Sequence, residues 1–308
     1  MDESGLPADV LIVGGGPAGS NAAWELGKAH HRVTLFVGDK PVSSPSGEAG
    51  ESSLPAVLKN RELFHLFQQE TNKTQPVTVE RKRITEVRRL PNGLFEAEDA
   101  SGNVWPGRLL ILADGAEEVM PDIAGYQTCW QQQRILTHPS EGKHGRVPVA
   151  VLAVGELAEL TMALHAVWQI RQYASACPPD AAITVESAYI QEIRPDADSP
   201  QGVTVQLDGG KSERAFLYHR RAAQLKGNDP FARQLRLELT ESGAIRISAR
   251  VPYMTSMDGV YAGGDCASLG QRTLFKALAM GEGVAAAVAA RLERGRWKNL
   301  AYEEESCP

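Results

Sequence analysis

The pattern of apolar and polar positions is clearest at the start of the chain. Residues 9–13 (DVLIV) form a short apolar run of the kind found in strands buried in parallel sheets. A stretch with apolar residues at helical spacing follows, and residues 33–37 (VTLFV) form a second apolar run. Strand, helix and strand in this order predict a β-α-β unit, and hence an α/β fold with a parallel sheet.

The later patterns predict further elements of both kinds. Residues 77–105 alternate as in a small antiparallel sheet with a turn at Pro91-Asn92-Gly93, and 202–210 predict another strand. Amphipathic spacing predicts helices over 59–70 and 156–176. The chain is therefore expected to carry more sheet than the first β-α-β unit supplies.

The glycines between the first strand and helix fit a dinucleotide-binding turn. They read Gly14-x-Gly16-x-x-Gly19, with Pro17 and Ala18 between the last two. The first glycine permits the tight turn, the second lets a pyrophosphate approach the backbone, and the third lets helix and strand pack closely. The N–H groups at the start of the helix would then face the phosphates.

One position of this site departs from the usual pattern. The carboxylate that closes the second strand and binds the ribose hydroxyls would fall at Val37. Asp39, two residues later, can take this role if the end of the strand bends. Otherwise the adenosine end of the dinucleotide is held more weakly than usual.

Composition restricts the classes of partner. Hydrophobic residues make up 43% and charged residues 23% of the 308 residues, and the net charge is −6. This balance gives no electrostatic reason to expect nucleic acid or an anionic membrane as partner. No apolar run reaches the ~18 residues of a transmembrane helix, and the acidic start resembles neither a signal nor a transit peptide. We therefore expect a cytoplasmic protein with a small-molecule substrate.

The cysteines give no sign of a disulfide framework or a metal site. The four of them are scattered, and no C-x-x-C or metal-ligand spacing occurs; they are Cys129, Cys177, Cys266 and Cys307. The seven histidines form no H-E-x-x-H pattern. We expect a reducing compartment and no bound metal.

Two motifs, VGGGPAG at the start and DGVYAGGDCA at 258–267, resemble those of the thioredoxin reductase family of two-domain flavoproteins. The resemblance extends over nearly the whole chain. It implies FAD as cofactor, a homodimer, and two Rossmann-like three-layer domains of the class II pyridine nucleotide-disulphide oxidoreductase type. The FAD-binding domain would be discontinuous, at 1–126 and 245–308, with a degenerate NAD(P)H-binding-like domain at 127–244. The segment PDIAGYQTCW is similar to the fungal branch that includes the gliotoxin-type dithiol oxidases.

The resemblance also implies a set of FAD contacts outside the first turn. Ala113 and Asp114 match the family's Ala-Thr-Gly turn, with aspartate in place of threonine. Gly264 and Asp265 match the motif whose aspartate binds the ribityl chain or the pyrophosphate. The start of the last helix, which the family places beside the isoalloxazine, corresponds to Arg272, Thr273 and Leu274.

The redox dithiol of the family is missing. Where the family has Cys-x-x-Cys, this chain reads ILTHPSEGKHG at 135–145, without cysteine. Exchange of electrons with a disulfide needs a sulfur nucleophile, so the chain is not expected to be a disulfide reductase or a dithiol oxidase. His138 and Glu141 fall close to the two missing cysteines and can form an acid–base pair over the flavin. The alternative is a polar surface turn in which the motif has decayed.

The second nucleotide motif is also altered. Its glycines have become Ala153-x-Gly155-x-x-Ala158, and Glu156 adds a negative charge where pyrophosphate would lie. The basic His-Arg-Arg tripeptide of the family occurs only at 219–221, in the wrong place, which we interpret as coincidence or a surface cluster. The second domain is therefore expected to have lost its nucleotide.

These observations favour an FAD-dependent oxidase. The FAD elements are mostly intact, while the pyridine nucleotide and the dithiol are both missing, so O2 is the remaining electron acceptor. The fungal resemblance suggests a small organic substrate from secondary metabolism. The alternatives are a non-redox enzyme (a cyclase, dehydratase or isomerase), an NAD(P)H-dependent reductase with an unusual nucleotide site, and an inactive partner protein.

Overall fold

The structure is a computed structural model. It describes residues 6–38, 76–136, 148–153, 163–164, 167, 185–219, 223–224, 230–268 and 274–305. The chain forms two compact units. Unit 1 contains the described residues up to 117 and from 223 onward, and unit 2 contains those between 118 and 222. The assignment of 1–126 with 245–308 to FAD and of 127–244 to a second nucleotide stays a prediction.

The described elements are, in chain order, β1 (Ala8–Val13), α1 (Pro17–Lys28), β2 (Val33–Phe36), β3 (Val77–Glu80), β4 (Ile84–Arg89), β5 (Phe95–Asp99), β6 (Val104–Leu112), β7 (Glu117–Glu118), α2 (Tyr126–Gln131), β8 (Ile135–Leu136), β9 (Val149–Val151), β10 (Ile190–Pro195), β11 (Val203–Leu207), β12 (Ser212–Tyr218), β13 (Ala223–Gln224), α3 (Pro230–Gln234), β14 (Val260–Ala262) and α4 (Leu274–Glu305). Short 3₁₀ turns follow β11 and β14.

Unit 1 contains a seven-stranded sheet, in which six strands follow the order β3-β2-β1-β6-β5-β4 and the seventh, β14, pairs with β6. The strands β3, β2, β1 and β6 are parallel, with Val10 opposite Val33 and Leu11 opposite Leu110. On the side of β6 away from β1, β5 pairs antiparallel with its first half and β14 parallel with its second half. The predicted β-α-β unit is confirmed, since β1 is buried from Asp9 to Val13 as its apolar sequence requires.

The prediction of a small antiparallel sheet over 77–105 is wrong in part. β4, β5 and β6 are antiparallel and the turn at Pro91-Asn92-Gly93 is present, with Gly93 at φ 85°. However, β3 pairs parallel with β2, and all of these strands belong to one sheet. Alternation identifies a strand, but it carries no information about which strand is its neighbour.

Both faces of this sheet are covered. α1 and α4 pack on one face, where Ala22, Leu26 and Val288 join Val10 and Ile12 in a buried cluster. On the other face α3 packs beside the edge strand β4, and the Gln234 amide bonds the backbone of that strand: its oxygen accepts from Val87 N–H at 2.9 Å and its nitrogen donates to Thr85 O at 3.1 Å. Within the described residues, no helix is long and apolar enough to cross a membrane.

Unit 2 contains a smaller mixed sheet. β10, β11 and β12 form an antiparallel meander, whereas β8 and β9 pair parallel with β12. Its core includes Tyr126, Cys129 and Trp130 from α2, packed against Ile193 and Val205. The strand predicted over 202–210 is confirmed as β11. The helices predicted over 59–70 and 156–176 lie outside the described residues, apart from three isolated positions of the second.

Candidate functional site

The carboxyl ends of four parallel strands of unit 1 meet at one edge of the sheet. The residue that follows each of β1, β6 and β14 donates a backbone hydrogen bond to the last residue of the neighbouring strand, β2, β1 and β6 respectively. Gly14 N–H donates to Phe36 O at 3.1 Å, Ala113 N–H to Val13 O at 2.8 Å, and Gly263 N–H to Leu112 O at 3.0 Å. The structure therefore brings together segments that are roughly 250 residues apart in the sequence. They meet at the edge where open α/β sheets bind ligands.

Two glycines of the first turn are required by close contacts. Gly14 has φ 113°, and a Cβ there would lie 2.3 Å from Ala113 O. A Cβ at Gly19 would lie 1.9 Å from Gly14 O. Neither contact can be relieved by rotating a side chain, because both involve backbone oxygen. Ser20 tightens the same turn, since its hydroxyl donates to Gly15 O at 3.0 Å.

Gly16, the second glycine of the motif, faces open space instead. Among the described residues, a Cβ at Gly16 would meet nothing within 4 Å. Gly16 is the N-cap of α1, no described side chain caps the helix, and its first turn holds no acidic residue. Pro17 opens the helix, where the missing N–H is not needed. Uncapped N–H groups facing open space are what a pyrophosphate requires, so the turn fits the phosphates of FAD.

The segment after β14 packs directly on this turn. Gly264 has φ 79°, and a Cβ there would lie 2.9 Å from Ala18 Cβ. Asp265 begins the 3₁₀ turn, and its carbonyl accepts from Ser268 N–H at 3.2 Å. The predicted Gly264 thus lies beside the predicted Ala18, Asp265 follows it in the chain, and Ala113 and Asp114 follow the neighbouring strand β6.

Sequence reasoning missed two residues that fix α4 against α1. A Cβ at Gly281 would lie 2.3 Å from Ala18 O, and the Asn21 amide donates to Leu278 O at 2.8 Å. The sequence did contain a signal for this contact, namely a glycine inside the alanine-rich helix α4. Glycine destabilises a helix interior by about 1 kcal/mol relative to alanine, so its presence there suggests a close backbone contact.

On the adenosine side of the site, Val37 occupies the position where the usual carboxylate would close β2. Val37 follows β2, and a Cβ at Gly15 would lie 2.6 Å from Val37 Cγ2, so the valine side chain covers the turn. Val37 N–H donates to Glu80 O at 2.9 Å, which ties the end of β2 to β3. Asp39 lies outside the described residues, and its role at the ribose stays a prediction.

The two described cysteines are buried in the cores of different units. Cys266 Sγ donates to Gly263 O at 3.3 Å and to Leu112 O at 3.4 Å, beside the glycine turn. Cys129 Sγ donates to Ile193 O at 3.6 Å in unit 2, and burial raises the pKa of this thiol. A buried thiol with a raised pKa is a poor nucleophile. Cys177 and Cys307 lie outside the described residues.

The remaining predicted residues are described only in part. His138, Glu141, Arg272 and Thr273 lie outside the described residues, as do Gly155, Glu156 and Ala158. Leu274 is the first described residue of α4, and the predicted role of this segment beside the cofactor stays a prediction. Among the described residues no group of three or more histidine, cysteine or acidic side chains can hold a metal ion.

The interpretation of His219 as part of a surface cluster is wrong. This histidine is 2% exposed, and its Nδ1 lies 2.7 Å from Tyr126 Oη in a buried hydrogen bond. Because His219 directly follows β12, whose last residues are buried, the side chain is carried into the core of unit 2. Arg220 and Arg221 lie outside the described residues.

Comparisons with known proteins agree with this architecture. Residues 8–165 match the family described as pyridine nucleotide-disulphide oxidoreductase. The chain is 57% identical to thioredoxin reductase aclT of Aspergillus oryzae over 99% of both chains. Its structure is similar to an oxidoreductase from Agrobacterium tumefaciens, with TM-score 0.73, 21% identity, and coverage of 93% of this chain and 99% of that one. A thioredoxin reductase from Giardia duodenalis gives TM-score 0.71 at 19% identity, with coverage of 93% and 99%. These structures confirm the predicted α/β fold with two Rossmann-like halves.

Proposed function

Because the chain belongs to the pyridine nucleotide-disulphide oxidoreductase family and is an FAD-dependent oxidoreductase, we propose that it is an oxidase that transfers electrons from a small organic substrate to O2. The observation that carries the proposal is the absence of a redox dithiol from a chain that keeps the FAD-binding turn. FAD supplies the hydride acceptor and the electron donor to O2. The protein supplies binding, orientation and proton transfer.

The described turn holds the cofactor in this proposal. The N–H groups at the start of α1 receive the pyrophosphate across the open space at Gly16. Asp265, which follows Gly264, would bind the ribityl chain or the pyrophosphate. Ala113 and Asp114, which follow β6, would contact the cofactor at the end of this strand. A charged Asp114 beside phosphate would be repulsive unless its carboxylate is turned away or hydrogen-bonded.

The cysteines argue against disulfide chemistry. The relatives are named thioredoxin reductases, and reduction of a disulfide through a flavoprotein needs a thiolate that attacks sulfur. This sequence contains no Cys-x-x-Cys. The thiols of Cys129 and Cys266 are buried and donate to backbone carbonyls. Neither described cysteine therefore offers an attacking thiolate.

The second unit argues against a pyridine nucleotide as electron donor. β9 and β12 are parallel, and β9 ends at Val151, so Ala153 lies just after the carboxyl end of a parallel strand. This is where a Rossmann-type turn needs its first glycine. Alanine there hinders the turn, and Glu156 adds a charge that repels pyrophosphate. We propose that this unit keeps the shape of a nucleotide-binding domain without binding NAD(P)H.

The proposed reaction removes two electrons and two protons from the substrate. His138, assisted by Glu141, takes the proton bound to a substrate heteroatom, and the second hydrogen leaves as hydride. O2 receives the two electrons and both protons and is released as hydrogen peroxide. A small secondary metabolite with an oxidisable C–H bond next to a heteroatom fits this chemistry. We also propose a homodimer.

Reoxidation of the reduced enzyme tests the oxidase proposal. The purified protein is reduced anaerobically with one equivalent of dithionite and mixed with air-saturated buffer. The proposal predicts rapid return of the flavin colour and one hydrogen peroxide per FAD. Slow reoxidation, at the rate of a reductase that uses a different acceptor, would contradict it. Once a substrate is known, His138→Ala should lower turnover at least 100-fold, a typical general-base contribution.

A further inference from the structure

A groove of about 580 Å³ lies beside α3 at the edge of the unit 1 sheet. Three segments line it: the end of β4 with Arg88 and Arg89, the turn after α3 with Leu235 and Arg236, and the loop before β14 with Met257 and Asp258. Pockets of about 300–1,000 Å³ typically hold small molecules. The groove therefore has the size of a ligand site, with arginines and apolar side chains in its lining.

This groove is separate from the edge of the sheet assigned to FAD. Arg89 is opposite Phe95, and Phe95 is opposite Gly107, near the start of β6. The cofactor edge begins after Leu112, at the other end of that strand. Five residues of a strand span about 17 Å. A ligand in the groove is therefore a different molecule from the cofactor.

Two of the charges in the groove are balanced by neighbouring side chains. The Arg88 guanidinium donates to Glu98 at 2.8 Å and to Glu86 at 3.1 Å. Asp258 accepts from the Arg291 guanidinium at 2.7 Å, so its negative charge is neutralised by α4. Neither side chain leaves a free charge for a ligand.

The other two arginines carry unbalanced charge. Within the described part of the chain, neither Arg89 nor Arg236 forms an ion pair, and both side chains are exposed. The Arg89 guanidinium carbon lies 5.9 Å from the centre of the Phe95 ring, a distance at which a cation is attracted to the ring. Two positive charges thus face one groove of a protein whose net charge is −6.

Arg236 also has a backbone conformation that arginine disfavours. Its φ is 51°, its N–H donates to Arg233 O at 3.1 Å, and the N–H of Leu237 donates to Ala232 O at 2.8 Å. These two bonds form a Schellman motif, in which the left-handed position is usually glycine. Arg233 already gives the last turn of α3 its positive charge. The end of the helix therefore does not explain the arginine at 236, whereas a role of its side chain in the groove does.

We propose that this groove binds a small organic anion, whose carboxylate or phosphate group is held by Arg89 and Arg236. Planar guanidinium groups bind both kinds of oxyanion through paired N–H donors. Leu235 and Met257 contact the apolar part of the ligand. The proposal is independent of which acceptor reoxidises the flavin.

Isothermal titration calorimetry tests the proposal on FAD-saturated protein, with citrate and inorganic pyrophosphate as probes. Saturation with FAD keeps pyrophosphate out of the cofactor turn. We expect one site, with a Kd of about 1 mM or lower for at least one probe. Affinity should fall as salt is added, because the arginines are exposed. The probe that binds more tightly identifies the group as carboxylate or phosphate, and the absence of saturable binding of both would overturn the proposal.

Two variants test the assigned residues. Arg89→Gln and Arg236→Gly should each weaken binding about tenfold, the loss expected when one charged hydrogen-bond donor is removed. Glycine suits the left-handed position at 236, so Arg236→Gly should unfold at the same urea concentration as the wild type or a higher one.

Arg83→Ala is the matched control, because this exposed arginine directly precedes β4, whereas Arg89 ends it. Its affinity for the probe should stay within a factor of about two of the wild-type value. Wild-type affinity in both Arg89→Gln and Arg236→Gly would refute the proposal, and so would an equal loss in Arg83→Ala.

Discussion

Gly281 and Gly295 lie in the same helix, α4, but in opposite surroundings. A Cβ at Gly281 would lie 2.3 Å from the backbone oxygen of Ala18, whereas a Cβ at Gly295 would meet no atom of the described part of the chain within 4 Å. Ala18 belongs to the first turn of α1, next to the N–H groups assigned to the pyrophosphate. The same substitution, glycine to alanine, therefore separates helix propensity from the packing of the cofactor turn.

The expected magnitudes follow from these contacts. Alanine is about 1 kcal/mol better than glycine inside a helix, so Gly295→Ala should stabilise the protein by up to about 1 kcal/mol. Gly281→Ala gains the same propensity but must move backbone by about an ångström, and overpacking typically costs about 1–3 kcal/mol. We expect Gly281→Ala to be less stable than Gly295→Ala by about 1–3 kcal/mol. The displaced turn should also weaken FAD binding about 10- to 100-fold, or about 1.4–2.8 kcal/mol.

Urea unfolding and FAD titration measure the two effects. Unfolding is followed on the FAD-free protein, since bound ligand would add its own stabilisation. FAD affinity is then measured by the quenching of flavin fluorescence on binding. If Gly281→Ala binds FAD as tightly as Gly295→Ala and is equally stable, α4 does not hold the cofactor turn in the way described.

Three further predictions concern single side chains. Asp265→Ala should lower FAD occupancy of the purified protein at least tenfold, measured from the ratio of flavin to protein absorbance; full retention would show that FAD is held elsewhere. His30→Gly should raise the urea midpoint by an amount equivalent to about 1 kcal/mol, because exposed His30 follows α1 at φ 59°, where glycine is preferred; an unchanged midpoint would contradict this. Arg214 donates to Asp196 at 2.8 Å and lowers the pKa of this carboxyl below its ordinary 3.8. The carboxylate therefore stabilises the fold above about pH 4, and this contribution is lost as the pH falls through the lowered pKa. Asp196→Asn should cost about 1–3 kcal/mol at pH 7 and little below that pKa, and a pH-independent difference between the two unfolding curves would refute the assignment.

The first nucleotide-binding turn was predictable because its determinants are local. The apolar run before Gly14, the spacing to Gly19 and the helix that follows all lie within about thirty residues, which is the length of a β-α-β unit. Each of these residues determines the backbone conformation at its own position or at the next one. The replacement of the expected carboxylate by Val37 was equally predictable, since the length of the second strand alone determines that position.

Contacts between distant segments were not predictable in this way. Gly281 closely approaches Ala18, although the two residues are 263 positions apart in the sequence. The parallel pairing of β3 with β2 depends on the path of the chain between them, and the alternation of residues 77–80 does not indicate this partner. His219 follows a buried strand, yet the polar tripeptide it begins suggested a surface position. In each case the surrounding segments, rather than the residue itself, determine the contact, the strand pairing or the burial.

The central claim is that the chain binds FAD and accepts electrons from neither NAD(P)H nor a dithiol. The visible spectrum of the purified protein, recorded anaerobically before and after addition of NADPH, tests it most directly. The account predicts a yellow protein whose flavin absorption is unchanged by NADPH. Rapid bleaching by NADPH would contradict it, and would show that the second unit binds a pyridine nucleotide despite Ala153 and Glu156.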